Sequence, residues 1–276
     1  MADSSRQAGN RIIRAAGGFT LVELAVVIVI VAALLGALLA PLATQYQLRK
    51  NKEAENQLSE IKEAIIGFAI ANGRLPWPDR DLLIDGIENV PAPLGGAPCT
   101  VCEGVLPWQT LGTYPTDPWG RLYFYRISPE FGFQVQTGQP AGLDQFDISD
   151  VGEVRINTRG DNPAVGSGGE QKEDIVLTSD AAAAVASMGS NGRGAFLIDS
   201  NFIPQAPVGT DENVNANLAN PLAPTPHFYA RPIKPRAGSG CSDTVEGSEF
   251  CEFDDLVVWI PRVVLINRMV EAGRLP

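Results

Sequence analysis

The stretch AAGGFTLVELAVVIVIVAALLGALLA, residues 15–40, decides the predicted fold. Thr20 and Glu23 are the only polar side chains in the run from Phe19 to Ala43. About 20 apolar residues are enough to cross a bilayer as a helix, so this run predicts a transmembrane helix. Glu23 is unexpected there, because a carboxylate in hydrocarbon costs about 2.5–3.5 kcal/mol. A favourable interaction must offset that cost.

The residues on either side of the run bear on its orientation. Three arginines and one aspartate precede it, which favours a cytoplasmic N-terminus, but Arg49, Lys50 and Lys52 follow it closely. A secretory signal peptide has a cleavage site after an apolar region of about 7–15 residues. Here the small pair Gly17-Gly18 precedes a much longer run, so an ordinary signal peptide is a poor explanation.

The segment GGFTLVELAVVIVI, residues 17–30, resembles the N-terminal signature of type IV pilins and type II secretion pseudopilins. The resemblance implies cleavage after Gly18 by a prepilin peptidase, and N-methylation of Phe19. It also implies that the apolar segment is kept as an inner-membrane anchor and later forms a filament core. In that family Glu23 would pair with the Phe19 ammonium group of a neighbouring subunit.

Two physical interpretations of Glu23 remain open. Pairing with an ammonium group replaces the desolvation cost by a charge-assisted hydrogen bond, and it selects one stagger between parallel helices. Alternatively, the carboxylate reaches the water interface or interacts with the dipole at the helix N-terminus.

The pattern after the run predicts the domain organisation. In residues 44–72 apolar side chains recur every three or four positions, as in one face of an amphipathic helix: Leu58, Ile61, Ile65 and Phe68. Pro41 predicts a helix break between the two halves. We therefore predict a leader (1–18), a transmembrane and filament-core helix (19–43), the amphipathic half of the same helix (44–72) and an α+β head (73–276).

The head begins with a connecting region rich in proline and glycine. Its segment DPWG, residues 117–120, is similar to the one that leads into the sheet of major pseudopilins. Residues 201–240 are predicted to form a long exposed excursion. The C-terminus predicts a buried strand to Ile260, then a helix from Pro261 through Glu271 that stops at Gly273. The remaining predicted strands are 121–128, 131–138, 153–159, 174–180, 183–189 and 194–199. The predicted fold is a pilin-like long N-terminal helix packed on an antiparallel β-sheet.

The four cysteines lie beyond the apolar run in glycine- and proline-rich surroundings. This distribution favours disulfides in an oxidising compartment, and sequential pairing would join Cys99 to Cys102 and Cys241 to Cys251. The alternative is a four-thiolate zinc site, but the nine residues between Cys241 and Cys251 are unlike a zinc knuckle.

Two acidic segments are candidate calcium sites, because calcium prefers oxygen ligands in flexible loops. Neither has the spacing of an EF-hand, and solvated acidic loops are common without an ion. The candidate ligands are Asp144, Asp147 and Asp150 in the first segment, and Asp254 and Asp255 in the second. We expect no other cofactor.

Enzymatic activity has little support in the sequence. The single histidine, His227, lies in a proline-rich segment, and the glycines of residues 189–194 lack the spacing of a phosphate-binding loop. A net charge of −11 argues against nucleic acid as a partner, although a basic group occurs near Arg231, Lys234 and Arg236.

The predicted function is therefore structural. We expect a pseudopilin or minor pilin with a cytoplasmic N-terminus and a periplasmic head, whose partners are the prepilin peptidase, other pilins in a helical filament and an inner-membrane assembly platform. The alternatives are an adhesive minor pilin, and a membrane-anchored periplasmic binding or enzymatic domain whose N-terminus only mimics the signature.

Overall fold

The computed structural model describes residues 20–81, 83–90, 102–133, 146–159, 174–216, 227–245 and 248–275, and within them it does not describe the side chains of residues 36–43. The elements, in chain order, are α1 (Leu21–Asn72), β1 (Glu103–Val105), α2 (Trp108–Leu111), β2 (Phe124–Ile127), a 3-10 helix (Pro129–Gly132), β3 (Val154–Arg159), β4 (Asp174–Ser187), α3 (Asp211–Asn215), β5 (His227–Tyr229), β6 (Leu256–Pro261) and α4 (Arg262–Glu271).

The chain divides into two compact units between Gln47 and Leu48. The described part of the first unit is the beginning of α1. Its large apolar side chains are exposed, from 47% at Val31 to 85% at Leu21. The helix continues through Pro41, where the sequence predicted a helix break.

The second unit contains a six-stranded sheet built around β4. With 14 residues, β4 is long enough to pair with β3 along its first half, and with β2 and β6 along its second half. The strand order is β1-β2-β4-β3-β5, with β6 also on β4. All these pairs are antiparallel except β3 with β5, which is parallel.

Apolar side chains cover both faces of this sheet. On one face the buried stripe of α1, with Leu58, Ile61 and Ile65, packs with aromatic and aliphatic side chains of β2, β4 and α4. The other face has its own cluster around Phe124, Ile156 and Phe228. The alanines of β4 leave room for packing on both sides, and they bury completely.

The predicted antiparallel sheet is wrong, because the sheet is mixed. The chain between β3 and β5 passes through β4 and α3, and such a long connection allows a parallel pair, whereas a tight hairpin does not.

The described residues also contain no helix that is long and apolar enough to cross a membrane. This finding contradicts the predicted pilin-like fold with a transmembrane first half over 19–43. It equally contradicts the predicted inner-membrane location with a cytoplasmic N-terminus and a periplasmic head.

Candidate functional sites

The start of α1 combines an exposed apolar surface with one capped carboxylate. We call residues 21–35 the apolar segment. Thr20 precedes the helix, and its Oγ1 accepts a hydrogen bond from the backbone N–H of Glu23 at 3.2 Å. In return the backbone N–H of Thr20 donates to Oε2 of Glu23 at 3.5 Å. This reciprocal pair is a capping box, which satisfies backbone donors at a helix N-terminus.

The capping box gives the Glu23 carboxylate a hydrogen-bond partner within its own chain. The side chain is exposed, so its carboxylate bears no desolvation cost in the single chain. Its position in the first turn also places it against the positive end of the helix dipole. Gly18 and Phe19, the predicted cleavage and methylation positions, lie outside the described residues.

The first of the two predicted calcium segments does not assemble a site in the described structure. Asp144 lies outside the described residues. Asp147 accepts hydrogen bonds from the backbone and hydroxyl of Ser149, which lower the pKa of its carboxyl group. Asp150 accepts the backbone N–H of Asp147 at 2.6 Å, and partial burial raises its pKa. These carboxylates stabilise their own turn.

The second predicted segment does form a cluster, and the cluster includes a residue that the sequence analysis missed. Asp254 and Asp255 precede β6, and Glu212 of α3 joins them, with one carboxylate oxygen from each residue within 4.8 Å of the others. All three side chains are buried, at 1%, 6% and 3% exposure for Glu212, Asp254 and Asp255. We call these three residues the buried triad.

Each carboxylate of the triad is held by donors on one oxygen. Oε1 of Glu212 accepts from the side-chain amide of Asn191 at 2.9 Å and from the backbone N–H of Asp254 at 3.1 Å. Oδ2 of Asp254 accepts from the hydroxyl of Ser190 at 2.7 Å and from the backbone N–H of Asn191 at 2.8 Å. Oδ2 of Asp255 accepts from the amide of Asn215 at 2.9 Å. The turn after β4 and the helix α3 therefore orient the three acids.

The other oxygen of each carboxylate has no hydrogen-bond partner: Oε2 of Glu212, Oδ1 of Asp254 and Oδ1 of Asp255. Burial is the main cause that raises the pKa of Glu212 to about 7, and the Asp254 charge adds to it. Burial also raises the pKa of Asp255 well above its usual range, with the Glu212 charge as the next cause. Burial and the neighbouring negative charges therefore both favour the protonated forms of Glu212 and Asp255.

A second buried network lies beside the triad. Arg231 pairs with Asp211 at 2.9 Å and with Asp243 at 3.2 Å, and its guanidinium stacks on the Phe253 ring at 4.4 Å. Arg159 pairs with the same Asp211 at 2.8 Å. The basic group predicted near Arg231 is thus partly neutralised within the fold, and Lys234 pairs with Glu249.

The structure contains a disulfide between Cys241 and Cys251. Cys102 is disulfide-bonded as well, and Cys99 lies outside the described residues. A disulfide leaves no thiolate for zinc. The bond closes a loop in which Asp243 accepts the backbone N–H of Cys251 at 2.9 Å, and this loop leads directly to the triad.

Two sequence features considered for catalysis or phosphate binding, His227 and the glycine-containing turn of residues 189–194, take part in the packing and hydrogen bonding of the fold. His227 is the first residue of β5, and its ring lies edge-on to Tyr229 at 5.8 Å. The glycine-containing turn of residues 189–194 follows β4 and supplies the donors for Asp254. No family model, no curated protein and no solved structure matches this chain.

Proposed function

We propose that this chain is a structural subunit of a helical filament of the type IV pilin and pseudopilin class. A prepilin peptidase removes residues 1–18, and the subunit assembles through the apolar segment of α1. The observation that carries this proposal is the exposed apolar surface of residues 21–35. Exposed apolar surfaces of this kind mark interaction sites.

The chemistry of the apolar segment suits packing between copies of the same helix. Its side chains are mostly β-branched or leucine, and Glu23 is its only charged residue. Parallel helices that pack through such a surface exclude water from it, which is the main driving force for association. Other pilin-like subunits present the same kind of helix and are the expected partners.

Cleavage changes the partner available to Glu23. The new ammonium group at Phe19 is a stronger donor to a carboxylate than a backbone amide is. When helices pack and exclude water, an unpaired Glu23 becomes costly, and pairing with the ammonium group of a neighbouring subunit removes that cost. Only one stagger of the helices brings the two groups together, so Glu23 sets the register.

Processing is tested by co-expressing the full chain with a prepilin peptidase and measuring the intact mass and N-terminal sequence. We expect a chain that begins with N-methylated Phe19. Gly18→Ala should retain residues 1–18, whereas Gly17→Ala, the matched control one residue away, should still be cut. A chain that keeps Met1 beside an active peptidase would contradict the proposal.

Assembly is tested with variants that are processed normally. Glu23→Gln should be cleaved but absent from filaments, while Glu63→Gln, an exposed glutamate later in α1, should assemble. Val29→Asn should also block assembly without lowering the thermal stability of the single chain, because Val29 is 67% exposed there. Filaments of normal yield from Glu23→Gln and Val29→Asn would show that α1 is not the assembly element.

A further inference from the structure

We propose that Asp79, Asp81 and Asp85 form a binding site for a hard divalent cation, and that calcium is the ion it prefers. We call these three residues the Asp79 cluster. They lie between α1 and β1 in the chain, share no residue with the buried triad, and are independent of the proposed filament function. Three features of the described structure support the site: a buried oxygen without a partner, the arrangement of the carboxylates, and their charge.

The Asp79 carboxylate supplies the buried oxygen. The residue is 0% exposed, although it carries a charged group. Its Oδ2 accepts a hydrogen bond from the backbone N–H of Gly86 at 2.6 Å, whereas its Oδ1 has no hydrogen-bond partner. Buried polar atoms in folded proteins almost always have a partner. A cation that binds Oδ1 would satisfy the atom, and buried charges in proteins are commonly stabilised in this way.

The three carboxylates converge on one point. One oxygen from each of Asp79, Asp81 and Asp85 lies within 4.8 Å of the other two. Calcium binds oxygen at about 2.3–2.6 Å, so oxygens on opposite sides of one ion are separated by about 4.6–5.2 Å. Three oxygens at these separations can therefore contact a single ion.

Hydrogen bonds from the surrounding loop orient the two exposed carboxylates. The side-chain amide of Asn89 donates to Oδ2 of Asp81 at 3.0 Å, and its Oδ1 accepts the backbone N–H of Asp81 at 3.0 Å. Oδ1 of Asp85 accepts the backbone N–H of Ile87 at 2.8 Å. Partners of this kind hold the ligands of a metal site in place before the ion arrives.

The loop itself is fixed to the rest of the head. Asp79 forms two backbone hydrogen bonds with Val105 of β1, both of 2.9 Å. The Gly86 carbonyl accepts the backbone N–H of Gln109 in α2 at 2.8 Å. A Cβ on Gly86 would lie 2.3 Å from the Trp108 ring, so the loop packs closely against α2. The carboxylates are thus presented by an anchored loop.

The charge of the cluster is not balanced by a described ion pair. None of the ion pairs that the structure describes involves Asp79, Asp81 or Asp85. Arg74, a few residues earlier, pairs with Glu88 at 2.7 Å. Burial is the main cause that raises the pKa of Asp79 to about 6, and the charges of Asp81 and Asp85 add to it. At slightly alkaline pH three anions therefore face one another, and a divalent cation removes most of their repulsion.

Calcium suits this site better than magnesium or zinc. The ligands are hard carboxylate oxygens, whereas structural zinc sites use mainly thiolates and imidazoles. Asp81 and Asp85 are exposed, so water can supply further ligands. Calcium accepts six to eight oxygens in irregular geometry, while magnesium demands a near-ideal octahedron that this loop is not built to impose.

The test uses the full chain in detergent, treated with EDTA and then freed of the chelator. Calcium is titrated at slightly alkaline pH in a calorimeter and in a thermal unfolding assay. The chain carries Glu212→Gln, so that no ion at the buried triad contributes to the response. This substitution keeps an oxygen for the donors Asn191 and Asp254, and the titrations are repeated with the unsubstituted chain.

We expect one ion per chain at the Asp79 cluster. Tm should rise by roughly 5–10 °C when free calcium is about 100-fold above its Kd. Magnesium, titrated in a parallel series, should raise Tm less. A larger rise with magnesium would overturn the choice of calcium.

Variants locate the ion. Asp81→Asn and Asp85→Asn should each lower the calcium affinity at least tenfold, and both should fold normally because their side chains are exposed. Asp199→Asn is the matched control, since Asp199 is also exposed and its Oδ1 likewise accepts a backbone N–H two residues later, from Asn201 at 3.1 Å. It should bind calcium like the chain from which it was made.

Asp79→Asn gives a readout that a purely structural role would not change. In buffer free of divalent cations at slightly alkaline pH, its Tm should lie above that of the parent chain, because a buried charge is removed. In saturating calcium the order should reverse, because the parent chain alone gains the bound ion. An equal gain of Tm in both chains would count against the site.

The proposal fails if the chain with Glu212→Gln shows neither binding heat nor a Tm shift at millimolar calcium. It also fails if Asp81→Asn and Asp85→Asn respond to calcium as Asp199→Asn does. The buried Asp79 carboxyl would then be stabilised by a proton. None of these results bears on cleavage after Gly18 or on filament assembly.

Discussion

Substitution of Gly189 by alanine is a stringent test of how the triad is built. Gly189 has a φ of 57°, in the left-handed region, and it lies at the turn that supplies donors to Asp254. A Cβ at this position would lie 2.1 Å from the backbone oxygen of Asp254 and 2.4 Å from its Oδ1. Glycine is therefore needed here both for its conformation and for its lack of a side chain.

The expected loss of stability has two parts. The left-handed conformation costs a residue with a Cβ about 1 kcal/mol. Relief of the contact requires a shift of more than 1 Å between two backbone segments, and overpacking of this kind costs about 1–3 kcal/mol. We expect Gly189→Ala to lower the free energy of unfolding by about 3 kcal/mol.

Gly112→Ala is the matched control. Gly112 has a φ of 65°, close to that of Gly189, but its Cβ would meet no atom within 4 Å. This variant should lose only the conformational part, about 1 kcal/mol. Urea unfolding of both variants measures the difference between their free energies of unfolding, which we expect to be about 2 kcal/mol. Equal losses would refute the argument that Gly189 is required by close contact with Asp254.

Three further predictions concern stability. Ser128→Ala should cost about 2 kcal/mol in urea unfolding, because the buried hydroxyl donates to the Ala181 carbonyl at 2.7 Å and accepts from the Glu153 backbone at 2.7 Å; a loss under about 0.5 kcal/mol would contradict this. Burial raises the pKa of Asp79 to about 6 from 3.8, so its ionised form costs stability above that pH, and the cost disappears as the pH falls towards 4. The free energy of unfolding of Asp79→Asn should therefore be roughly 1–2 kcal/mol higher than that of the parent chain at slightly alkaline pH, and this difference should disappear on acidification. A difference that is the same at every pH would refute the prediction. Replacing both Cys241 and Cys251 by serine should cost about 2.5 kcal/mol, since the disulfide closes a loop with a sequence separation of 10, and an unchanged unfolding midpoint would exclude that role.

Local patterns predicted several elements well. The spacing of Leu58, Ile61, Ile65 and Phe68 predicted the buried face of α1; the first three side chains are at most 3% exposed, whereas Phe68 is only half-buried. The C-terminal segment predicted a strand to Ile260 followed by a helix from Pro261 through Glu271; the structure has both elements, with β6 ending at Pro261 and α4 running from Arg262 to Glu271. In these cases the sequence pattern and the element that it predicts occupy the same short segment of the chain.

Patterns without a clear period were less informative. The sequence predicted two strands, 174–180 and 183–189, where the structure has the single strand β4. Its run of alanines carries neither a strand nor a helix period, and their burial on both sides follows from the packing of two apolar layers. The parallel pairing of β5 with β3 was equally invisible, because the partners are far apart in the chain.

The apolar run and the triad both separate what the sequence determines from what only the tertiary structure decides. Composition alone predicted an apolar helix over residues 19–43, and α1 begins at Leu21, but one composition suits a membrane span and a helix-packing surface, because both are dry environments. The acidic residues Asp254 and Asp255 were visible in the sequence, whereas Glu212 lies more than 40 residues earlier. Only the tertiary structure decided that these three carboxylates meet, because their proximity depends on the docking of α3 beside the turn after β4. Such long-range contacts leave no local periodicity from which they can be read.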